Sequence, residues 1–128
     1  MAKHYTEVPV EKWNTRHFTD YLCEEHQRLF GVEYVPYASW RREQGQIANI
    51  IGTTKRKGTH DAPTLKRFID ECFSTFTPSE KYAGINFSFM WTYRKALWQR
   101  ILADKAKQTK IERTETTQED LKELAEWL

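Results

Sequence analysis

Only two cysteines occur in 128 residues, Cys23 and Cys72, and each lies inside an apolar helical pattern rather than in a loop. A disulfide framework is therefore not expected; buried thiols in a reducing compartment are. No apolar run approaches the roughly 20 residues of a membrane-spanning helix. The Met-Ala-Lys-His-Tyr start has no apolar stretch behind its charge, so no secretory leader is expected. Together these features predict a cytoplasmic protein with no membrane partner. No internal repeat or low-complexity run is present.

Signatures of catalysis are missing as well. There is no Gly-x-Ser-x-Gly, no glycine-rich phosphate loop ending in Lys-Ser/Thr, and no Cys-His pairing with an orienting third residue. Adjacent acids occur at Glu24-Glu25 and Asp70-Glu71, but neighbouring residues on a helix diverge, so neither pair presents two carboxylates to one substrate atom. Cys23-x-x-His26 sets two metal-ligand types one turn apart, with Cys72, His17 or His60 available to add to them. A structural zinc ordinarily uses two such close pairs and this chain has one, so no metal and no cofactor is expected. The protein is not expected to be an enzyme.

What the chain does have is segregated charge. The formal total is only +2, yet Ser39–Arg67 carries seven Lys/Arg against two acids and Lys81–Arg113 eight against two. Thr114–Leu128 reverses the balance, with one lysine against five acids. A local basic face attracts polyanions whatever the whole-chain sum is.

Hydrophobic content of 39%, with 14% aromatic, is enough for one packed core in a chain of single-domain length. Periodicity predicts helices. Asn14 can cap one that Gly31 closes, with Trp13 stapled on Phe18. Ser39 can cap a second, carrying Trp40, Ile47, Ile50 and Ile51 on one side and ending near Gly52. Asp61–Phe76 gives the clearest pattern, with Leu65, Phe68, Ile69, Cys72, Phe73 and Phe76 at helical spacing behind Pro63. Thr77-Pro78-Ser79-Glu80 resembles a capping box, yet Gly84 follows so soon that a turn or two at most is expected.

A long helix is then expected from Asn86 or Ser88 towards Lys107, burying Tyr93 among its apolar positions. The only β candidates, Val32–Tyr37 and Gly84–Phe89, would pair as a small ribbon at most. The predicted class is mainly α: a single compact bundle of four to five helices, helix-turn-helix or winged-helix-like. Residues 1–107 form the helical domain, 108–115 a linker, and 116–128 an acidic amphipathic helix that begins with the capping box Thr116-x-x-Glu119 and needs something to pack on.

Helix, basic turn and helix in succession suggest phosphate contact from the turn and base-edge contact from a helix, although the turn is longer than a strict helix-turn-helix allows. The candidate residues are Arg41, Arg42, Lys55, Arg56, Lys57, Lys66, Arg67, Arg94, Lys95 and Arg100 for phosphates, with Gln46 and Asn49 of the types that read base edges. Tyr37, Trp40, Trp91 or Tyr93, if exposed, would offer stacking surfaces. The expected function is that of a nucleic-acid-binding accessory protein, with DNA the expected partner. A second reading is a protein-binding adaptor or inhibitor that docks on a larger enzyme through aromatic surface or through Leu121, Leu124 and Leu128.

The order Trp13…Phe18…Tyr21, Trp40…Ile47…Ile50-Ile51, Leu65-Lys66-Arg67-Phe68-Ile69-Asp70…Phe73 and Ile85-Asn86-Phe87-Ser88-Phe89 resembles that of small helical bacteriophage-encoded proteins, some tied to DNA replication or host takeover. The resemblance spans Trp13 to Leu102 and is a hydrophobic pattern without a catalytic signature. It implies a DNA-linked or host-directed role in the host cytoplasm and assigns no functional residue.

Overall fold

The computed structural model describes residues 4–127, with side chains as far as Ile111. It is mainly helical: two short 3-10 turns, Tyr5–Glu7 and Val10–Lys12, precede α1 (Thr15–Phe30), α2 (Trp40–Ile51), α3 (Ala62–Thr75), α4 (Phe87–Tyr93) and α5 (Lys95–Trp127). Among the described residues there is no strand, and the one β-bridge joins Gly52 to Lys57. The chain divides into two compact units, residues 1–95 and 96–128.

In the first unit the caps fall where the sequence puts them. The Asn14 side chain accepts from His17 N–H at 3.1 Å while His17 Nδ1 accepts from Asn14 N–H at 2.9 Å, closing a capping box at the start of α1. Gly31, at φ 70°, ends that helix. Trp13 packs edge-on against Phe18 with ring centroids 5.1 Å apart, the predicted staple. Ser39 caps α2; α3 starts one residue earlier than Pro63 suggests, at Ala62, with Asp61 as its cap and Pro63 in the second helical position. α1, α2 and α3 pack on one another, and α4 lies on α3. Their shared interior is Phe18, Leu22, Ile47, Ile50, Leu65, Phe68, Ile69, Phe87 and Met90, all buried. Each such side chain contributes about 2 kcal/mol through burial.

Three expectations are corrected. The single helix read from Asn86 to Lys107 is broken at Arg94, which has φ −115° and ψ 30° and donates from its guanidinium to Thr75 Oγ1 at the end of α3, 2.9 Å away. Tyr93 is consequently 72% exposed rather than buried, because helical phase cannot be carried across the break. Thr77–Glu80 forms no helix, within the turn or two at most that the nearby Gly84 allows; Ser79 and Tyr82 close a turn, Ser79 N–H donating to the Tyr82 carbonyl at 2.8 Å. Conversely, α5 runs unbroken through 108–115, where the sequence reads as a linker, and on past Thr116. That stretch contains neither glycine nor proline and includes the helix formers Gln108, Lys110, Glu112, Arg113 and Glu115, so nothing local stops the helix.

The two β candidates do not pair with each other. Side chains take the backbone groups that a ribbon would use. His26 Nδ1–H donates to the Val32 carbonyl at 2.9 Å and Nε2 accepts from Ile85 N–H at 3.2 Å, an arrangement that fixes the neutral Nδ1–H tautomer. Glu43, 0% exposed, does more. Its Oε1 accepts from the Tyr34 hydroxyl, and its Oε2 accepts from Tyr37 N–H at 3.0 Å, Ser88 N–H at 3.3 Å and Ser88 Oγ at 2.9 Å. Tyr34 Oη in turn accepts from Phe87 N–H at 2.7 Å. The buried carboxylate thus ties α2 to residues 34–37 and to the first turn of α4.

Removing it strands several buried donors at once, which costs far more than one hydrogen bond is worth. Glu43→Ala is expected to destabilise the fold by about 3 kcal/mol and to lower the midpoint of thermal unfolding by more than about 10 °C. Circular dichroism melting checks this; a shift of a degree or two would show that the network is dispensable.

Candidate nucleic-acid interface

The basic residues of the first unit fall into separate groups. Arg41 and Arg42 stand exposed in the first turn of α2, and Arg42 lies over the Tyr37 ring at 5.7 Å from its centroid. At the other end of α2 the chain reverses between Gly52 and Lys57, with Thr53 N–H donating to the Arg56 carbonyl at 2.8 Å and Lys55 N–H to Thr53 Oγ1 at 3.2 Å. This small hairpin displays Lys55, Arg56 and Lys57, all exposed.

Its base is held by two glycines set back to back. A Cβ on Gly52 would come 2.4 Å from Gly58 N, and one on Gly58 would come 2.2 Å from Ile51 C and 2.4 Å from Gly52 N. Only residues without side chains let the two backbone segments approach so closely. His60 N–H, donating to the Ile50 carbonyl at 2.8 Å, fastens the returning chain to the end of α2. Arg56 Nη1 also donates to Asn49 Oδ1 at 3.3 Å, joining the hairpin to the outer face of the helix. Arg41, Gly45 and Asn49 share that face at intervals of four residues.

Charge pairing distinguishes these cations from the others. Among the described residues Arg41, Arg42, Lys55, Arg56 and Lys57 form no ion pair with a carboxylate, whereas Lys66 and Arg67 meet Asp70 and Glu71 one turn on in α3, at 2.7 Å and 3.6 Å. Lys66 also sits over the Tyr21 ring, and the Tyr21 hydroxyl donates to the same Asp70. Gln46 is half-buried, with its side-chain amide 3.2 Å from Ser88 Oγ, so that amide is engaged inward rather than presented to a base edge.

Arg94 and Lys95 lie at the junction of α4 and α5, Arg94 turned to Thr75 and Lys95 Nζ set 3.1 Å from the centroid of the Trp91 ring. Burial lowers the Lys95 pKa. Arg100 is exposed on α5, in the second unit. Side chains of Leu121, Leu124 and Leu128, the alternative docking residues, lie outside the described residues.

Compared with models of known families, with characterised proteins and with solved structures, the chain matches none.

Other reactive groups are engaged structurally. Both ring nitrogens of His26 are bonded, and among the described residues no three His, Cys, Asp or Glu side chains gather in a way that would hold a metal ion. No helix of the described residues is long and apolar enough to cross a membrane.

Burial raises the pKa of the Cys72 thiol to about 12, against the opposing pull of the Arg94 guanidinium. Burial, and after it the charge of Asp20, also raises Cys23. Burial raises the Tyr34 hydroxyl too, followed by the charge of Glu43. In all three the folded state holds its proton more tightly than the unfolded chain. Their stabilisation is therefore complete well below the free values, near 9 for the thiols and 10 for the tyrosine, and is lost as pH rises from there towards the folded values. Ellman's reagent at pH 8 should leave Cys72 untouched in the folded protein and modify it fully in guanidinium chloride; rapid labelling of the folded protein at Cys72 would show the thiol to be accessible.

Proposed function

We propose that this protein binds nucleic acid, with DNA the expected form, as an accessory protein that grips phosphates from both ends of α2. The observation that carries this reading is the glycine-closed hairpin, which presents Lys55, Arg56 and Lys57 together with no carboxylate paired to any of them among the described residues. An unpaired lysine or arginine keeps its full attraction for a phosphate, while one already matched to an acid must give up that partner first. Lys66 and Arg67, paired on α3, are secondary on this ground.

Arg41 and the end of α2 are ten residues apart, a rise of about 15 Å along the helix. That distance corresponds to roughly four nucleotides of rise along one strand, so the two cationic ends can engage separate phosphates of one molecule. Asn49 stands between them and is held by Arg56, in reach of sugar or base edge once the phosphates are seated. A role beside DNA replication or host takeover, in the cytoplasm, fits the resemblance to small phage proteins.

Binding of this kind releases counterions, so its dependence on salt is diagnostic. Gel shifts with single- and double-stranded DNA should show complexes at low salt whose affinity falls log-linearly as salt rises. Replacing Lys55, Arg56 and Lys57 together by Ala should make the slope shallower by about 3, one unit for each phosphate that is no longer neutralised. Absence of any complex at low salt, or an unchanged slope in the triple variant, would reject the proposal.

A further inference from the structure

A groove of about 440 Å³ opens between residues 32–37 and 81–86. Its walls include two large aromatic side chains that the core leaves outside: Tyr37 is 70% exposed and Tyr82 58%. Each carries a cation over its ring, Arg42 at 5.7 Å from the centroid of Tyr37 and Lys81 at 5.4 Å from that of Tyr82. Val32 and Val35 add exposed apolar surface to the same groove.

Neither tyrosine ring is outside because its backbone is loose. Tyr37 N–H donates to the buried Glu43 carboxylate at 3.0 Å, and the 79–82 turn fixes Tyr82, whose N–H donates to Ser79 Oγ at 3.1 Å. Two held aromatic faces, each beside a cation and both on one groove, have the composition of a stacking site for unpaired bases, with the cations placed for the adjoining phosphates. Lys81 and Arg42 form no ion pair among the described residues, and Glu33 is the carboxylate on the groove wall. A double helix, whose bases are already stacked on each other, cannot use such faces.

We infer that the groove between Val32–Tyr37 and Lys81–Asn86 takes single-stranded nucleic acid, with bases stacked on Tyr37 and Tyr82 and phosphates met by Arg42 and Lys81. This rests on the nucleic-acid reading above and names the form of nucleic acid that the protein takes. An extended apolar peptide is the competing occupant.

The test is fluorescence anisotropy with labelled oligo-dT and with a duplex of equal length, at several salt concentrations. Oligo-dT should bind more tightly than the duplex. Tyr37→Ala and Tyr82→Ala should each weaken oligo-dT binding on the order of tenfold, with the salt slope unchanged, while Tyr37→Phe and Tyr82→Phe retain it. Both rings are largely exposed, so unchanged melting curves for the Ala variants certify the fold. Oligo-dT affinity indifferent to both Ala substitutions, or an equal loss for the duplex, overturns this inference and leaves phosphate binding by the hairpin standing. Failure of both probes to bind at low salt overturns the two together.

Discussion

A single buried carboxylate organises the first unit. Glu43 has no water to turn to, and its oxygens accept from the donors around them: a tyrosine hydroxyl, a serine hydroxyl and two backbone amides. In an apolar interior an acceptor so placed is worth little beyond a well-packed leucine if every bond is made, and is severely costly if some are missing. Its effect is therefore selective. Only a chain path that brings Tyr34, Tyr37 and Ser88 to the same point satisfies it, and that requirement rejects alternative packings that the hydrophobic side chains alone would tolerate.

The same requirement explains why two apparent strands do not form a ribbon. Residues 32–37 and 84–89 have the apolar content of strands, but His26, Tyr34 and Glu43 occupy the backbone groups through which they would pair. Gly84 is part of this arrangement: a Cβ there would lie 2.2 Å from His26 Nε2, so the backbone reaches the imidazole only because it carries no side chain. The loops are fixed to helices from inside, and their outer surfaces, including the rings of Tyr37 and Tyr82, are left to solvent.

Much of this was legible in the chain. Caps at Asn14 and Ser39, the closing Gly31 and the core face of α3 follow from local rules, and each stands where those rules put it. The break at Arg94 was not legible, since its anchor is Thr75, nineteen residues earlier, and no glycine or proline marks it. The Glu43 network left one signal that could have been read. Glu43 lies on the apolar stripe of α2, three residues after Trp40 and four before Ile47, where an acid is out of place unless it is bonded. For the basic residues, sequence supplied the clusters and not their company. Lys66 and Arg67 resemble Lys55 to Lys57 in composition, and only the helical placement of Asp70 and Glu71 separates them.

Gly52 and Gly58 have one more consequence. Because their backbones touch and the returning chain is fastened to Ile50, the hairpin is an extension of α2 rather than a tether hanging from it. A polyanion meeting a slack loop must first freeze it, surrendering conformational entropy of about 1–2 kcal/mol for every backbone residue immobilised. Here that ordering was completed during folding, so a polyanion that bound there would restrict little more than the lysine and arginine side chains.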